Sequence, residues 1–558
     1  EEGSFYWVKY QEEDGTWTHI CDPLAYSVPF GIFAPAEFYD IEKVQSERAD
    51  KDYFINLQGA GQRHGLTKMG PPTNILQIHT NTATEDGTLR GLTKVYKTIS
   101  DKLQEGIELE AFEKNYVGYD AIQLLPIEPT IEYEDGTGFW EFWNDKNPES
   151  EAVFIDLKKP DMTNWGYDIV IAGMSATNPC VLGSKRPDEM VDFVATLHNF
   201  STGPIKLLFD VVYGHSDNQG IKILNHHFFA GANMYGQNMN FKHMQVRGIL
   251  LEMQRRKGNA GIDAIRVDGA QDFKYWDEKT QMLYHDDEYL QSMSDVIQTV
   301  AGKAYYPWMI FEDGRQWARQ DWELASSYQS VIENQPEIFQ WGPLTFAHNT
   351  PFLYTFWITR WWRVREIMEM GSHWVTGCSN HDTVRRGTQV DTEERINDKL
   401  GSTYPEILGN AYDNPAEKIL TYGMFPGQPM DFINASMRAP WSFMRNTDDR
   451  YGVKVVSEEK RFLDWQVDEV RYKDDRHFRR LKKQGFKCRD GLYHFMHVLE
   501  SAVELTDYNL EVMVQIMNAM PELAGPTLTV EVLKKVAKDW MDDVHDYSNV
   551  KHCLNNQD

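Results

Sequence analysis

Short apolar runs rich in β-branched residues recur along the middle of the chain, and stretches with a helical period separate them. In order they are Asn74–His79 (NILQIH), Asp120–Pro129 (DAIQLLPIEP), Ile205–Tyr213 (IKLLFDVVY), Gly261–Asp268 (GIDAIRVD) and Trp308–Gly314 (WMIFEDG). A weaker run, Tyr328–Asn334 (YQSVIEN), is followed by His373–Asp382 (HWVTGCSNHD) and Pro429–Ala435 (PMDFINA). Amphipathic stretches such as RPDEMVDFVATLHNF and HMQVRGILLEMQRRKG lie between them. Continuous apolar strands alternating with helices predict a parallel sheet covered on both faces. Eight such units fit a (β/α)8 barrel better than an open sheet, and that fold carries its chemistry at the C-terminal ends of the strands. The expected fold class is α/β, a TIM barrel over residues 71–440.

The flanks read differently. GSFYWVKYQEEDGTWTHICDP alternates and turns at Asp-Gly, which predicts a small β module within residues 1–70. Beyond Pro440 the chain becomes charged with a 3.6-residue period, as in GLYHFMHVLESAVEL and TVEVLKKVAKDWMDDV, so residues 441–558 are expected to be helical. The basic run at Arg476–Lys483 reads as a solvated helix face.

Composition narrows the partners. A formal charge of −28 argues against nucleic acid and anionic membranes. It fits an ordinary acidic enzyme or one adapted to a salty interior. The 17 Trp and 13% aromatics suit a large core, and they suit sugar binding too, since flat rings cover the C–H faces of pyranoses. The five scattered cysteines make neither a metal-ligand spacing nor a disulfide framework, which favours a reducing cytoplasm. There is no charged-then-apolar leader and no run of 18 apolar residues.

Charge inside the apolar runs changes the picture more. Arg266 and Asp268 are two residues apart on one strand and therefore share a face. Alone, R-x-D reads as a buried ion pair. Yet FDVVYGHSDN, AIRVDGAQD, IFEDG and CSNHDT fall at the ends of candidate strands three, four, five and seven. Together they resemble the four signature regions of the α-amylase superfamily. ILQIHTNTATEDGTLRGL, NWGYD, YGQNMNFKHMQVR and FPGQPMDFINA resemble further segments of that family in the same order, over residues 1–445.

The resemblance implies roles. Asp268 matches the nucleophile, Glu312 the acid/base and Asp382 the third carboxylate, which grips sugar hydroxyls. Arg266 would keep Asp268 ionised, His215 and His381 would hydrogen-bond the same sugar, Tyr167 would floor it, and Asp210 would support the first region. Phe311 and Trp308 are expected to wall Glu312, and Asp263 to be solvated or a cap. Departures matter as well. Gly214 stands where the family has a calcium-binding Asn, so no metal and no cofactor is expected. Gln271 and Asp272 replace residues that contact an acceptor sugar, and a carboxylate with an amide suits a small polyol better than a stacked ring. The loop Thr130–Thr163 holds Tyr133, Phe139, Trp140, Phe142 and Trp143. It reads equally as a lid, with Trp140 and Trp143 against substrate, or as an aromatic satellite core. The implied activity is retaining hydrolysis of a small α-glucoside. An α-glucosidase, transglucosidase or phosphorylase remains open, and a non-catalytic subunit is disfavoured because all three acids are present.

Overall fold

The computed structural model of the chain describes residues 3–57, 59, 61–132, 140–143, 154–157, 162–233, 235–312, 339–346, 373–377 and 379–382. It also describes parts of 392–437, and 463–548 apart from 465 and 507–508. The chain divides into two compact units. One holds residues 1–233, 237–343 and 372–375, the other 234–236, 344–371 and 376–558.

A curled, mostly parallel sheet organises the first unit. Its strands follow one another in chain order: β1 (Ile75–Ile78), β2 (Ala121–Leu124), β3 (Lys206–Val212), β4 (Ala264–Asp268), β5 (Trp308–Glu312), β6 (Phe339–Phe346) and β7 (Trp374–Gly377). The pairs from β1 to β6 are parallel, with Gln77 opposite Gln123, Gln123 opposite Leu208, Asp210 opposite Arg266, Arg266 opposite Ile310 and Glu312 opposite Trp341. Every residue of β1, β2 and β5 is buried, as a sheet covered on both faces requires. Helices α1 (Leu89–Glu105), α2 (Asp188–His198), α3 (Met244–Gly258) and α4 (Asp287–Ser294) lie between strands. Thr88 caps α1 by accepting from the Gly91 N–H, and Gly106 ends it in the left-handed region. Phe209 of β3 lines an apolar pocket with Met190 and Val191 of α2 and Lys257 of α3. Its neighbour Asp210 therefore faces away from the helices.

The sixth strand differs from expectation. It is Phe339–Phe346, C-terminal to the 328–334 stretch, which lies outside the described residues. Its sequence, FQWGPLTF, carries Gly342 and Pro343 inside the strand, and that pair reads as a turn in sequence.

Residues before 70 form antiparallel pairs, Phe5–Tyr6 with Ala36–Glu37 and Val8–Gln11 with Trp17–Ile20. The latter turns at Asp14-Gly15, where Asp14 accepts from the Thr16 N–H. The strand Leu66–Lys68 then pairs in parallel with Lys303–Tyr306, inside the same unit as the main sheet.

Asp263, expected to be solvated or a cap, is buried at 1% exposure. It accepts from the Tyr53 hydroxyl (2.6 Å) and the Leu207 N–H (2.8 Å), and lies 3.0 Å from His198 Nε2. His198 Nδ1 lies 2.7 Å from Asp50, which Arg48 grips through two nitrogens at 2.6 and 3.0 Å. The partners come from positions far away in sequence, so nothing local announced them.

In the second unit, β8 (Gln428–Phe432) precedes α5 (Arg489–Thr506), α6 (Leu510–Asn518) and α7 (Val530–Ser548). Leu492, Phe495, Leu499, Met513, Trp540 and Val544 belong to one buried core there. In the basic run Arg476, Arg479 and Lys483 are exposed, Leu481 is buried, and Arg480 pairs with Asp543 (2.9 Å) and Asp546 (2.6 Å) of α7.

Candidate active site

Strand alternation and register put Gln77, Gln123, Asp210, Arg266, Asp268 and Glu312 on one face of the first unit's sheet. Asp268 and Glu312 are the last residues of β4 and β5. After Asp268 the chain leaves the strand through Gly269, whose φ of +58° lies in the left-handed region that glycine adopts without strain. This turn aims the Gly269 N–H at Glu312 Oε2, at 2.7 Å.

Arg266 is the centre of the cluster and is fully buried. Its Nη1 donates to Asp210 Oδ1 at 2.6 Å and to Asp268 Oδ1 at 3.1 Å, while Nη2 lies 3.0 Å from Glu312 Oε1. Asp210 Oδ2 accepts from the Tyr167 hydroxyl (2.8 Å) and from Gln123 Nε2 (3.0 Å). Asp268 Oδ1 and Glu312 Oε1 sit on the two terminal nitrogens of one guanidinium. Three carboxyls thus face one guanidinium in a largely buried site. Burial pushes Asp210 and Asp268 each up to about 6, against the pull of Arg266. The surplus of negative charge makes each further ionisation within the cluster harder.

Tyr167 is buried, its ring 4.5 Å from that of Trp165, and its carbonyl oxygen lies 3.1 Å from His215 Nε2. Burial lowers His215 to about 4, so its imidazole is neutral at pH 7. Phe311, expected beside Glu312, stands on the opposite face of β5, because neighbours along a strand alternate. Trp308 does share the Glu312 face.

The structure therefore brings together Asp210, Arg266, Asp268, Glu312 and Tyr167, with His215 against the Tyr167 backbone. Asp272 is exposed and ends a short 3-10 turn, Ala270–Asp272, that also contains Gln271; the Gln271 side chain lies outside the described part. Trp140 and Trp143 lie on a strand paired with Phe154–Leu157. Their side chains, with Tyr133 and Phe139, are outside the described residues. His381 and Asp382 belong to the second unit. There Asn380 Oδ1 accepts from the Asp382 N–H at 2.9 Å, and His381 Nε2 lies 3.3 Å from Asp382 Oδ2.

Two contributors escaped the sequence reading. The Gly269 N–H is a backbone donor with no side-chain signature beyond a glycine after the strand. Gln123 is a lone amide in an aliphatic run, a signal that was visible and unused. Among the described residues no group of three His, Cys, Asp or Glu is placed to hold a metal ion, and no helix is long and apolar enough to cross a membrane.

A family model described as "Hypothetical glycoside hydrolase 5" matches residues 1–558. No curated protein sequence matches the chain. Among solved structures, a pullulanase from Paenibacillus barengoltzii in complex with maltohexaose and α-cyclodextrin is 16% identical, over 78% of this chain and 65% of its own, with a TM-score of 0.48. A Salmonella typhimurium protein described provisionally as an alpha amylase is 14% identical over 99% of this chain and 77% of its own, with a TM-score of 0.45. A pullulanase from an Anoxybacillus species, complexed with maltotetraose, is 13% identical over 72% and 56%, with a TM-score of 0.43.

Proposed function

Since the chain belongs to the hypothetical glycoside hydrolase 5 family, we propose that it hydrolyses a small α-glucoside with net retention, and that the substrate is 2-O-α-glucosylglycerol, giving glucose and glycerol. The observation that carries the mechanism is the convergence of Asp210, Asp268 and Glu312 on Arg266. In the first half-reaction the Asp268 carboxylate attacks the anomeric carbon while Glu312 passes its proton to the glycosidic oxygen. The bond from C1 to the leaving alcohol breaks and a glucosyl–aspartyl ester forms. Glu312 then takes a proton from water, whose oxygen attacks C1 and releases Asp268.

The remaining assignments follow the superfamily resemblance. Asp382 and His381 take the sugar hydroxyls, Tyr167 and His215 the ring, and Trp140 and Trp143 the closure of the pocket. The sheet is assigned to a (β/α)8 barrel of residues 71–440, flanked by an N-terminal module of residues 1–70 and a helical region from 441. Gln271 and Asp272, on the turn leaving the nucleophile strand, favour a hydroxyl-rich leaving group. A site that pairs substrate hydroxyls rejects ligands lacking them more sharply than an apolar pocket does.

The test is a panel of α-glucosides, with and without phosphate, with products identified by NMR. Glucose released first as the α-anomer from glucosylglycerol, and loss of about a thousandfold or more in Asp268→Asn and Glu312→Gln, are expected. Glucose 1-phosphate as product would make the enzyme a phosphorylase. Maltotetraose turned over as fast as glucosylglycerol would refute the small-polyol assignment.

A further inference from the structure

β2 reads Ala-Ile-Gln-Leu and all four residues are buried, Gln123 completely. A buried amide costs free energy unless it is hydrogen-bonded. Among the described residues its hydrogen bond runs into the site, where Nε2 donates to Asp210 Oδ2 at 3.0 Å. Asp210 thereby takes donors from three directions: Arg266 of β4 on Oδ1 at 2.6 Å, and Gln123 of β2 with the Tyr167 hydroxyl (2.8 Å) on Oδ2. Each donor favours the ionised carboxylate and leaves less room for a proton on it.

This matters because the cluster holds more carboxyls than positive charge. Glu312 and Asp268 raise the field at Asp210 or share its guanidinium, Arg266 lowers it, and Lys257 of α3, paired with Glu128, adds attraction. A proton kept in such a cluster has three possible homes, and only one, Glu312, serves the proposed reaction. We propose that Gln123 is a positioning residue: by donating to Asp210 it keeps Asp210 ionised and leaves the shared proton on Glu312. The inference rests on the roles proposed above for Asp268 and Glu312.

The proton's location has a signature that structural support alone lacks. An alkoxide leaving group needs a proton from Glu312, whereas fluoride leaves without one. Gln123→Met keeps length and removes the donor; Gln123→Glu keeps shape, removes the donor once ionised, and adds repulsion. The assay is kcat/KM against pH for 2-O-α-glucosylglycerol and for α-glucosyl fluoride, with folding followed by circular dichroism. Gln123→Met should lose about tenfold to a hundredfold on glucosylglycerol, the worth of one hydrogen bond to a charged group. It should lose less than about threefold on the fluoride, and the alkaline limb should move to higher pH, because Asp210 then adds to the cluster's hold on the shared proton. Gln123→Glu should move it at least as far. Equal losses on both substrates with an unmoved limb, in whichever variant folds, would overturn the proposal. If the wild type cleaves neither substrate, or Asp268→Asn remains active, the proposed function fails and this inference with it. If Asp268→Asn is dead while Gln123→Met behaves as wild type, only this inference fails.

Discussion

At the scale of single residues, the site depends on which groups carry charge. His215 illustrates the sign. Burial depresses it to about 4 from its ordinary 6.5, so the unfolded chain binds a proton that the folded chain refuses. Its contribution is therefore fully present above pH 6.5 and is lost as pH falls toward 4. Between pH 7 and pH 4.5, wild-type stability from urea unfolding should fall by about 2 kcal/mol more than that of His215→Gln, which has no such proton to take up. Equal falls would mean that His215 is not buried neutral. Arg266, Asp268 and Glu312 were legible in sequence because short, fixed spacings and an ordered series of motifs carry them. Gln123 stands out as a lone amide in an aliphatic run, but its role does not, since its partner Asp210 lies 87 residues away.

At the scale of elements, continuous apolar runs announced the strands well, because a sheet buried on both faces demands such runs. The sixth was missed where Gly342 and Pro343 interrupt the pattern. The charge at the other end of β4 was misjudged for a different reason. Asp263 is part of a buried chain, Arg48–Asp50–His198–Asp263–Tyr53, that fastens the segment around residues 48–53 to the end of α2 and the start of β4. Such a network is assembled by tertiary structure, and no window of sequence contains it. Burial alone would lower the His198 pKa, yet Asp263 and Asp50 raise it above 6.5. The sign is thus opposite to that of His215: this stabilisation is complete below pH 6.5 and is lost as pH rises through the raised folded-state value. His198→Phe keeps a ring to stack on Tyr53, 3.7 Å away, and removes the shared partner of two buried carboxylates, leaving Asp263 with no charged partner in this chain of contacts. It should cost about 3–5 kcal/mol at pH 6 and flatten the alkaline loss seen in the wild type. A variant as stable as wild type in urea, with the alkaline loss intact, would show that the imidazole is not the charged link.

At the scale of the whole molecule, the formal charge of −28, from 84 acidic against 56 basic residues, is a property of the chain that no single contact displays. Like charges spread over a surface repel one another in the folded state more than in an expanded chain, and salt screens that repulsion over a distance of about 10 Å at 0.1 M. The ion pairs at the candidate site are buried and screened much less, so added salt should relieve repulsion without dissolving them. Raising NaCl from about 10 mM to about 0.5 M should therefore increase the melting temperature, by about 1–3 °C if about one to two kcal/mol of repulsion is relieved in a chain of this size. KCl should act identically, because screening depends on ionic strength alone. Calcium chloride matched in ionic strength should add nothing, and EDTA should change nothing, since Gly214 stands where the superfamily resemblance expects a calcium-binding Asn. A specific cation site would behave differently, saturating at low concentration and stabilising by mass action. A melting temperature that rises with micromolar calcium but not with sodium would thus place a bound metal, rather than diffuse repulsion, at the origin of any salt effect. A melting temperature that falls with sodium would show that exposed ion pairs outweigh the excess of carboxylates.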